Sequence, residues 1–410
     1  MTDAPVSVEE HRDRILSAIS PLPAFDQPLM EAFGLAAAEE VRASVALPSF
    51  DNSAMDGYAV READVAHASL DSPIHLPVVG EIGAGQATLL AMSPGTAVKI
   101  MTGAPVPAGA DAIVPYEWTD RGVAQVVITQ APEPGQHVRP AGEDVAVGDL
   151  VVTEGTVLGP RQIGLLAAVG RASVRSRPRP RVVVLSTGSE LREPGTALGR
   201  DSIYDGNSFL LAAAARQAGA IAYRVGIVPD DPRAFLTALQ DQLVRADLVV
   251  TSGGVSMGDY DVVKEALSPL GTVWFGGVAM QPGKPQGFGT VGEDDIPIIT
   301  LPGNPVSAYI SFEMFVLPAI RKLMGRTTFT RPTADAVLTR GLRSPEGRRQ
   351  YARGTLSVVD GRLAVTPVGP QGSHMIGDLA ESDALVMVPE SVTSLDAGET
   401  VSVVPLDEDF

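Results

Sequence analysis

The chain contains no cysteine, which removes a disulfide framework, a thiolate nucleophile and any zinc or iron–sulfur site built on sulfur. That fits a reducing compartment, and any sulfur chemistry must arrive with the substrate. Lysine is nearly absent: Lys99, Lys264, Lys284 and Lys322 are the full complement, so arginine supplies almost all positive charge and a lysine inside a motif draws notice. A basic excess is also missing. The formal net charge of -18 argues against sequence-independent binding to nucleic acid, whose affinity comes from Lys and Arg neutralising phosphates, although it is compatible with a local basic pocket. Long apolar runs are missing as well. Stretches such as FLLAAAARQAGAIAY are broken by charge before membrane-spanning length, and MTDAPVSVEEHRDRIL lacks the basic-then-apolar order of a secretory signal. The expectation is a soluble, cytoplasmic protein that binds neither nucleic acid nor membrane.

What is there reads as folded. Hydrophobic residues make up 45% and charged residues 20%, far from a disordered profile, and 410 residues suffice for several domains with their own cores. The 42 Gly and 33 Pro call for many turns between short elements. Ser7 with Glu10 forms a capping box, and Val8, Ile15 and Ile19 follow near helical spacing, which predicts a helix over 7–19; a second helix is expected over 28–41. From 47 to 142 short apolar runs separated by Gly, Pro and Asp read as a small β-rich domain. Residues 143–177 hold a short strand (DLVV) and a helix (RQIGLLAAV) that belong with the N-terminal helical region, so the β-rich domain reads as an insertion between 1–46 and 143–177. The Pro-rich 175–181 stretch then forms a linker.

Over 178–328 strand and helix patterns alternate, which predicts a doubly wound, mostly parallel sheet in an α/β/α arrangement. Over 329–410 strands return, with Asp360-Gly361 as a hairpin turn. In open α/β sheets ligands bind at the carboxyl ends of strands, so the loops after the apolar runs carry the chemistry. After RVVVLS, Ser186, Thr187 and Gly188 can offer hydroxyls and N–H groups to an anion, and Glu190 could hold a cation or a substrate hydroxyl; alone, this is also a common turn. After DLVV, Ser252, Gly253 and Gly254 allow close backbone approach, and Ser256 precedes a helix N-terminus that favours phosphate. Asp261 suits phosphate only through a bridging Mg²⁺, its plainer role being a helix cap. Lys284 sits between glycine and proline, as an oxyanion ligand or as a solvated loop lysine. Asn304, Pro305 and Ser307 open a helix.

Taken in order, SFDNSAMDGYAV, MTGAPVPAGADAIV, RPAGED, LSTGSEL, SGGVSMGDYD, QPGKPQGFG and LPGNPVS resemble the molybdopterin molybdenumtransferases, a family that includes the C-terminal domain of gephyrin, over nearly the whole chain. The resemblance implies an elongated helical domain, the inserted β-rich domain, an α/β domain and a C-terminal β barrel, in a homodimer whose active site is shared between subunits. It implies transfer of molybdate into adenylylated molybdopterin with Mg²⁺-dependent release of AMP. By carry-over, Asp56, Thr102, Arg139 and Asp144 match active positions on one side, while Glu190, Asp230 or Asp231, Asp261 and Lys284 match on the α/β side. Glu190 and Asp261 are the implied Mg²⁺ ligands; Ser307, Arg353 and Ser373 resemble oxyanion ligands. Many relatives carry a lysine where this chain has Gln281, which donates a hydrogen bond but no charge. A molybdopterin adenylyltransferase and apo-molybdoenzymes are the implied protein partners. Two other readings stay open: the adenylylation step itself, and a non-catalytic gephyrin-like scaffold.

Overall fold

The computed structural model describes residues 4–85, 91–254 and 261–407. Its centre is a six-stranded sheet in the order Ile221–Arg224, Arg181–Ser186, Leu248–Ser252, Ile296–Leu301, Pro285–Val291 and Val273–Gly277. The first four run parallel, and Pro285–Val291 is antiparallel to both its neighbours. The near-continuous apolar runs follow from burial on both faces. Val182 and Val184 point into a core with Leu211 and Ala215 of helix Asn207–Gln217 and Val306 and Ile310 of helix Pro305–Ser311. Val183 and Leu185 point the other way, onto Phe235 and Leu239 of helix Pro232–Leu243 and onto Val262 and Val263.

Residues at both ends of the chain form a closed and an inserted sheet. After 331, Arg349–Val359 pairs with both Arg362–Pro367 and Ala384–Val388, and Ala334–Leu338 and Thr400–Pro405 complete the ring, giving a barrel-like sheet. Asp360 and Gly361 both have positive φ, at 50° and 75°, as a two-residue hairpin turn requires. The short strand Met280–Gln281 adds to this barrel beside Arg349 and Gln350, tying it to the central sheet. A separate five-stranded sheet takes its strands from 57–128. Its flanks pair with each other: Phe25–Pro28 with Ser173–Ser176, Val41–Arg42 with Leu150–Val152, and Leu47 with Val145.

The helix expected over 28–41 does not form. Strand Phe25–Pro28 leads into turns, and the next regular element is Val41–Arg42. Gly34 adopts φ 78°, and Ala36 and Ala37 bridge to Val157 and Ser176 instead of to their own turn. Ala32, Leu35, Ala36 and Ala37 are buried all the same, so an apolar spacing that suits a helix is satisfied by irregular backbone in a tight core. The 175–181 linker is likewise shorter than expected, because Ser173–Ser176 is a strand and Arg181 already begins the next. No helix among the described residues is long and apolar enough to cross a membrane.

Helix Val8–Ala18 is capped as the sequence predicts, Ser7 Oγ accepting from the Glu10 N–H at 3.0 Å. It docks on the central α/β core through the wholly buried His11, whose ring centroid lies 4.7 Å from Phe315 and 5.2 Å from Trp274. Neither ring nitrogen has a hydrogen-bond partner among the described residues. Burial, reinforced by Arg14, pushes the imidazole down from 6.5 to about 3. Between those values the unfolded chain takes up a proton that the folded chain refuses, so stability declines as pH falls through this window. His11 contributes a slope of up to about 1.4 kcal/mol per pH unit. His11→Phe, which keeps an aromatic ring against Trp274 and Phe315, is expected to flatten the pH dependence of urea unfolding between these limits; an unchanged slope would refute the assignment.

Candidate active site

Arg181–Ser186 has Ile221–Arg224 on one side and Leu248–Ser252 on the other, and the chain winds in opposite directions from it. The crevice that such a switch point opens lies beyond the carboxyl ends of the strands. There the structure places a cavity of about 380 Å³, walled by Ser186, Thr187, Gly188, Glu190, Asp230, Ser252, Gly253, Gly254 and Asp261, with Asp205, Asn207 and Pro305 among the other lining residues. Ser256 lies outside the described residues.

Local backbone rules explain the loop composition. Gly253 and Gly254 have φ 92° and 67°, and a Cβ on them would stand 2.8 Å from the Thr187 carbonyl oxygen and 2.7 Å from a Val263 methyl carbon. Only glycine combines that conformation with that approach, which leaves the main chain open to a ligand. The Ser189 N–H donates to Asp230 at 2.8 Å, locking the 186–190 turn. Asp231, the alternative to Asp230 in the sequence, instead caps helix Pro232–Leu243 through the Ala234 N–H at 2.7 Å. Asp261 stands at the N-cap of Val262–Leu267, but its carboxylate makes no capping hydrogen bond there. The plain capping role therefore belongs to Asp231 and not to Asp261.

Asp205 and Asn207 are among the cavity residues that the sequence reading did not single out. Asp205, 1% exposed, accepts from Ser186 Oγ at 3.2 Å and from the Ser208 N–H and Oγ at 3.0 and 2.6 Å. Asn207 donates to Ser252 Oγ at 2.9 Å and to the Gly303 carbonyl at 2.6 Å, tying the start of its helix to the ends of two strands. The signal was the polar run DGNS before an apolar helix, which has the same composition as an ordinary helix start.

Lys284, Ser307, Arg353 and Ser373 are not among the residues walling this cavity. They lie toward the seam with the barrel. The Val306 N–H donates to the Ser373 carbonyl at 3.1 Å, and Asn304 donates to Ser373 Oγ at 3.1 Å, beside cavity residue Pro305. Arg353 is 1% exposed; its Nη1 donates to the Gly372 carbonyl at 2.8 Å, while Nε and Nη2 have no hydrogen-bond partner among the described residues and Asp378 lies 3.7 Å away. Burying guanidinium donors without acceptors is costly unless a ligand supplies them. Ser307 is buried in helix Pro305–Ser311, and Gln286 Nε2 donates both to Ser311 Oγ, one turn further on, and to the Gly283 carbonyl. That contact holds the Gly283-Lys284 turn against the helix, while the Lys284 stem runs along Gly277.

Asp56, Thr102, Arg139 and Asp144 are exposed and are not among the residues lining this cavity. Asp56 Oδ1 accepts from the Thr102 N–H at 2.7 Å and its hydroxyl at 2.8 Å, bonds that hold the carboxyl below the usual range. Arg139 pairs with Asn52 next to them, and the Asp144 N–H donates to Leu47 at the root of the insertion.

Three family patterns match in sequence: "MoeA N-terminal region (domain I and II)" over residues 6–170, "Probable molybdopterin binding domain" over 183–322, and "MoeA C-terminal region (domain IV)" over 335–406. The protein named Molybdopterin molybdenumtransferase 2 from Mycobacterium tuberculosis is 47% identical over 97% of this chain and 98% of its own. The Molybdopterin molybdenumtransferase of Haemophilus influenzae is 36% identical over 82% of this chain and 84% of its own. A solved molybdopterin biosynthesis MoeA protein from Pyrococcus horikosii superposes with a TM-score of 0.85 at 32% identity, covering 99% of this chain and 100% of that one. With patterns, relatives and fold in agreement along its length, the chain belongs to the molybdopterin molybdenumtransferase, or MoeA, family.

Proposed function

We propose that this chain is a molybdenum insertase, a transferase that places molybdate into the dithiolene of adenylylated molybdopterin and releases AMP. The observation that carries this reading is the switch-point cavity, with glycine-opened backbone and hydroxyls for a phosphoanhydride and carboxylates beside them. A phosphate cavity that contains Glu190, Asp230 and Asp261 needs a cation, and its all-oxygen donor set suits Mg²⁺. No three metal-binding side chains cluster among the described residues, so an ion here would have to be held by one or two carboxylates together with phosphate oxygens. Asp261 and Glu190 would hold it, and it would supply charge neutralisation at the phosphoanhydride.

The chain's own residues then divide the work. Ser186, Thr187, Gly188, Ser252, Gly253 and Gly254 bind and orient the phosphates, and Asp230 keeps the first of these loops in place. Lys284, Ser307, Arg353 and Ser373 take the molybdate, Arg353 satisfying its two orphaned donors on the oxyanion. Asp56, Thr102, Arg139 and Asp144 complete the site from the partner subunit of a homodimer. Exposed Met30 and Phe33, at 77% and 48%, give the N-terminal region an apolar face suited to such an interface. The same reading assigns 1–46 with 143–177, 47–142, 178–328 and 329–410 as domains. It places the enzyme in the cytoplasm between a molybdopterin adenylyltransferase and the apo-molybdoenzymes it serves.

Purified protein given adenylylated molybdopterin, Mg²⁺ and molybdate should release AMP and reconstitute an apo-molybdoenzyme. Consumption of ATP with unmodified molybdopterin would instead establish the adenylylating step. Asp261→Asn should keep its melting temperature yet lose AMP release by on the order of 100-fold; wild-type turnover would remove Asp261 from the mechanism. Asp56→Asn and Asp261→Asn, each inactive alone, should recover about a quarter of wild-type activity when co-expressed as mixed dimers, since half the dimers would carry one intact shared site. No recovery in confirmed mixed dimers would mean that each subunit works alone.

A further inference from the structure

A second concavity, of about 570 Å³, lies on the outer side of the seam between the central sheet and the barrel. Its walls include Gln281, Arg343, Arg348, Gln350 and Gln371. Arg348 Nη1 donates to Gln281 Oε1 at 3.3 Å, so the side chain is steered across the cavity by the short strand that joins the two sheets. Of the carboxylates of this region, Glu9 and Glu390 pair with Arg349 and Asp378 lies against Arg353, while Glu346, two residues before Arg348, is exposed and pairs with neither Arg343 nor Arg348 among the described residues. Among the described residues neither Arg343 nor Arg348 forms an ion pair. Two guanidinium groups facing an open cavity without counter-ions mark a place for an anion.

Gln371, on the cavity wall, accepts from the Arg353 N–H at 2.7 Å and donates to the Arg353 carbonyl at 3.1 Å. The next residues, Gly372 and Ser373, carry the contacts to Arg353 Nη1 and to Asn304 at the lip of the switch-point cavity. One continuous segment, 369–373, thus connects the wall that holds Arg343 and Arg348 to the buried Arg353. A chain of net charge -18 repels a small dianion at long range, so capture depends on a local positive mouth.

We propose that Arg348, clamped by Gln281, and Arg343 form an entry subsite that captures a tetrahedral metal dianion and hands it along the 369–373 segment to Arg353. This rests on the insertase reading for its cargo, and the experiment separates the two. Inorganic molybdate is titrated into the full chain without pterin at low ionic strength, and AMP release is followed against molybdate concentration at saturating adenylylated molybdopterin. For Arg343→Gln/Arg348→Gln, molybdate binding should weaken about tenfold and the KM for molybdate should rise by about the same factor, both effects shrinking as salt is added. The kcat should hold. Arg348→Lys, which keeps the charge, should recover most of the loss, and Arg362→Gln, on another face of the barrel, should change nothing. Unchanged molybdate affinity in the double variant, no detectable binding to wild type, or a loss in kcat with KM unmoved would overturn the entry subsite. Absence of AMP release by the wild type would instead overturn the insertase reading, while the binding titration still decides the subsite.

Discussion

Burial of the central parallel strands on both faces constrains everything else in the molecule. With Val182 and Val184 packed one way and Val183 and Leu185 the other, no polar side chain can leave these strands sideways without displacing core. Polar groups emerge only where the strands stop, and at the switch point the stops of Arg181–Ser186 and Leu248–Ser252 coincide, with Ser186 opposite Ser252. The cavity there is a consequence of winding direction. Its shape is then tuned by Gly253 and Gly254, whose lack of side chains lets one loop lie against Thr187 and the helix that follows.

Charge is sorted along the line from that cavity to the barrel. Carboxylates of Glu190, Asp205, Asp230 and Asp261 gather at the switch point, whereas Arg343 and Arg348 line the outer concavity and Arg353 is buried against Asp378. On the proposed function, a phosphoanhydride escorted by a divalent cation would occupy the first environment and an unescorted oxyanion the second. The Asn304 and Val306 contacts to Ser373 join the two regions, and on the proposed function one chain would thereby handle two anionic partners without placing both beside the same carboxylates.

Much of the central unit was legible because its signals are local. Strand runs, the capping box at Ser7 and the Asp360-Gly361 turn each state a backbone preference within a few residues. The segment 28–41 was misread for the same reason: its apolar spacing matches a helix, but Gly34 and cross-chain bridges to Val157 and Ser176 win over local periodicity. Asp205 and Asn207 were missed because a cap and a cavity wall draw on the same residue types, and only the return of distant strand ends decides between them.

The sequence alone determined the alternation of elements, the loops that wall the switch-point cavity and, through seven ordered motifs, the family; these are properties of neighbours along the chain or of its overall order. Tertiary structure decided which of Asp230 and Asp231 faces the cavity, that Asp261 does not cap its helix, and that Arg353 is buried with donors unspent. It also decided that a two-residue strand, Met280–Gln281, would fasten the barrel to the sheet and steer Arg348. Such outcomes depend on contacts between segments tens to hundreds of residues apart, for which no short stretch of sequence carries a preference.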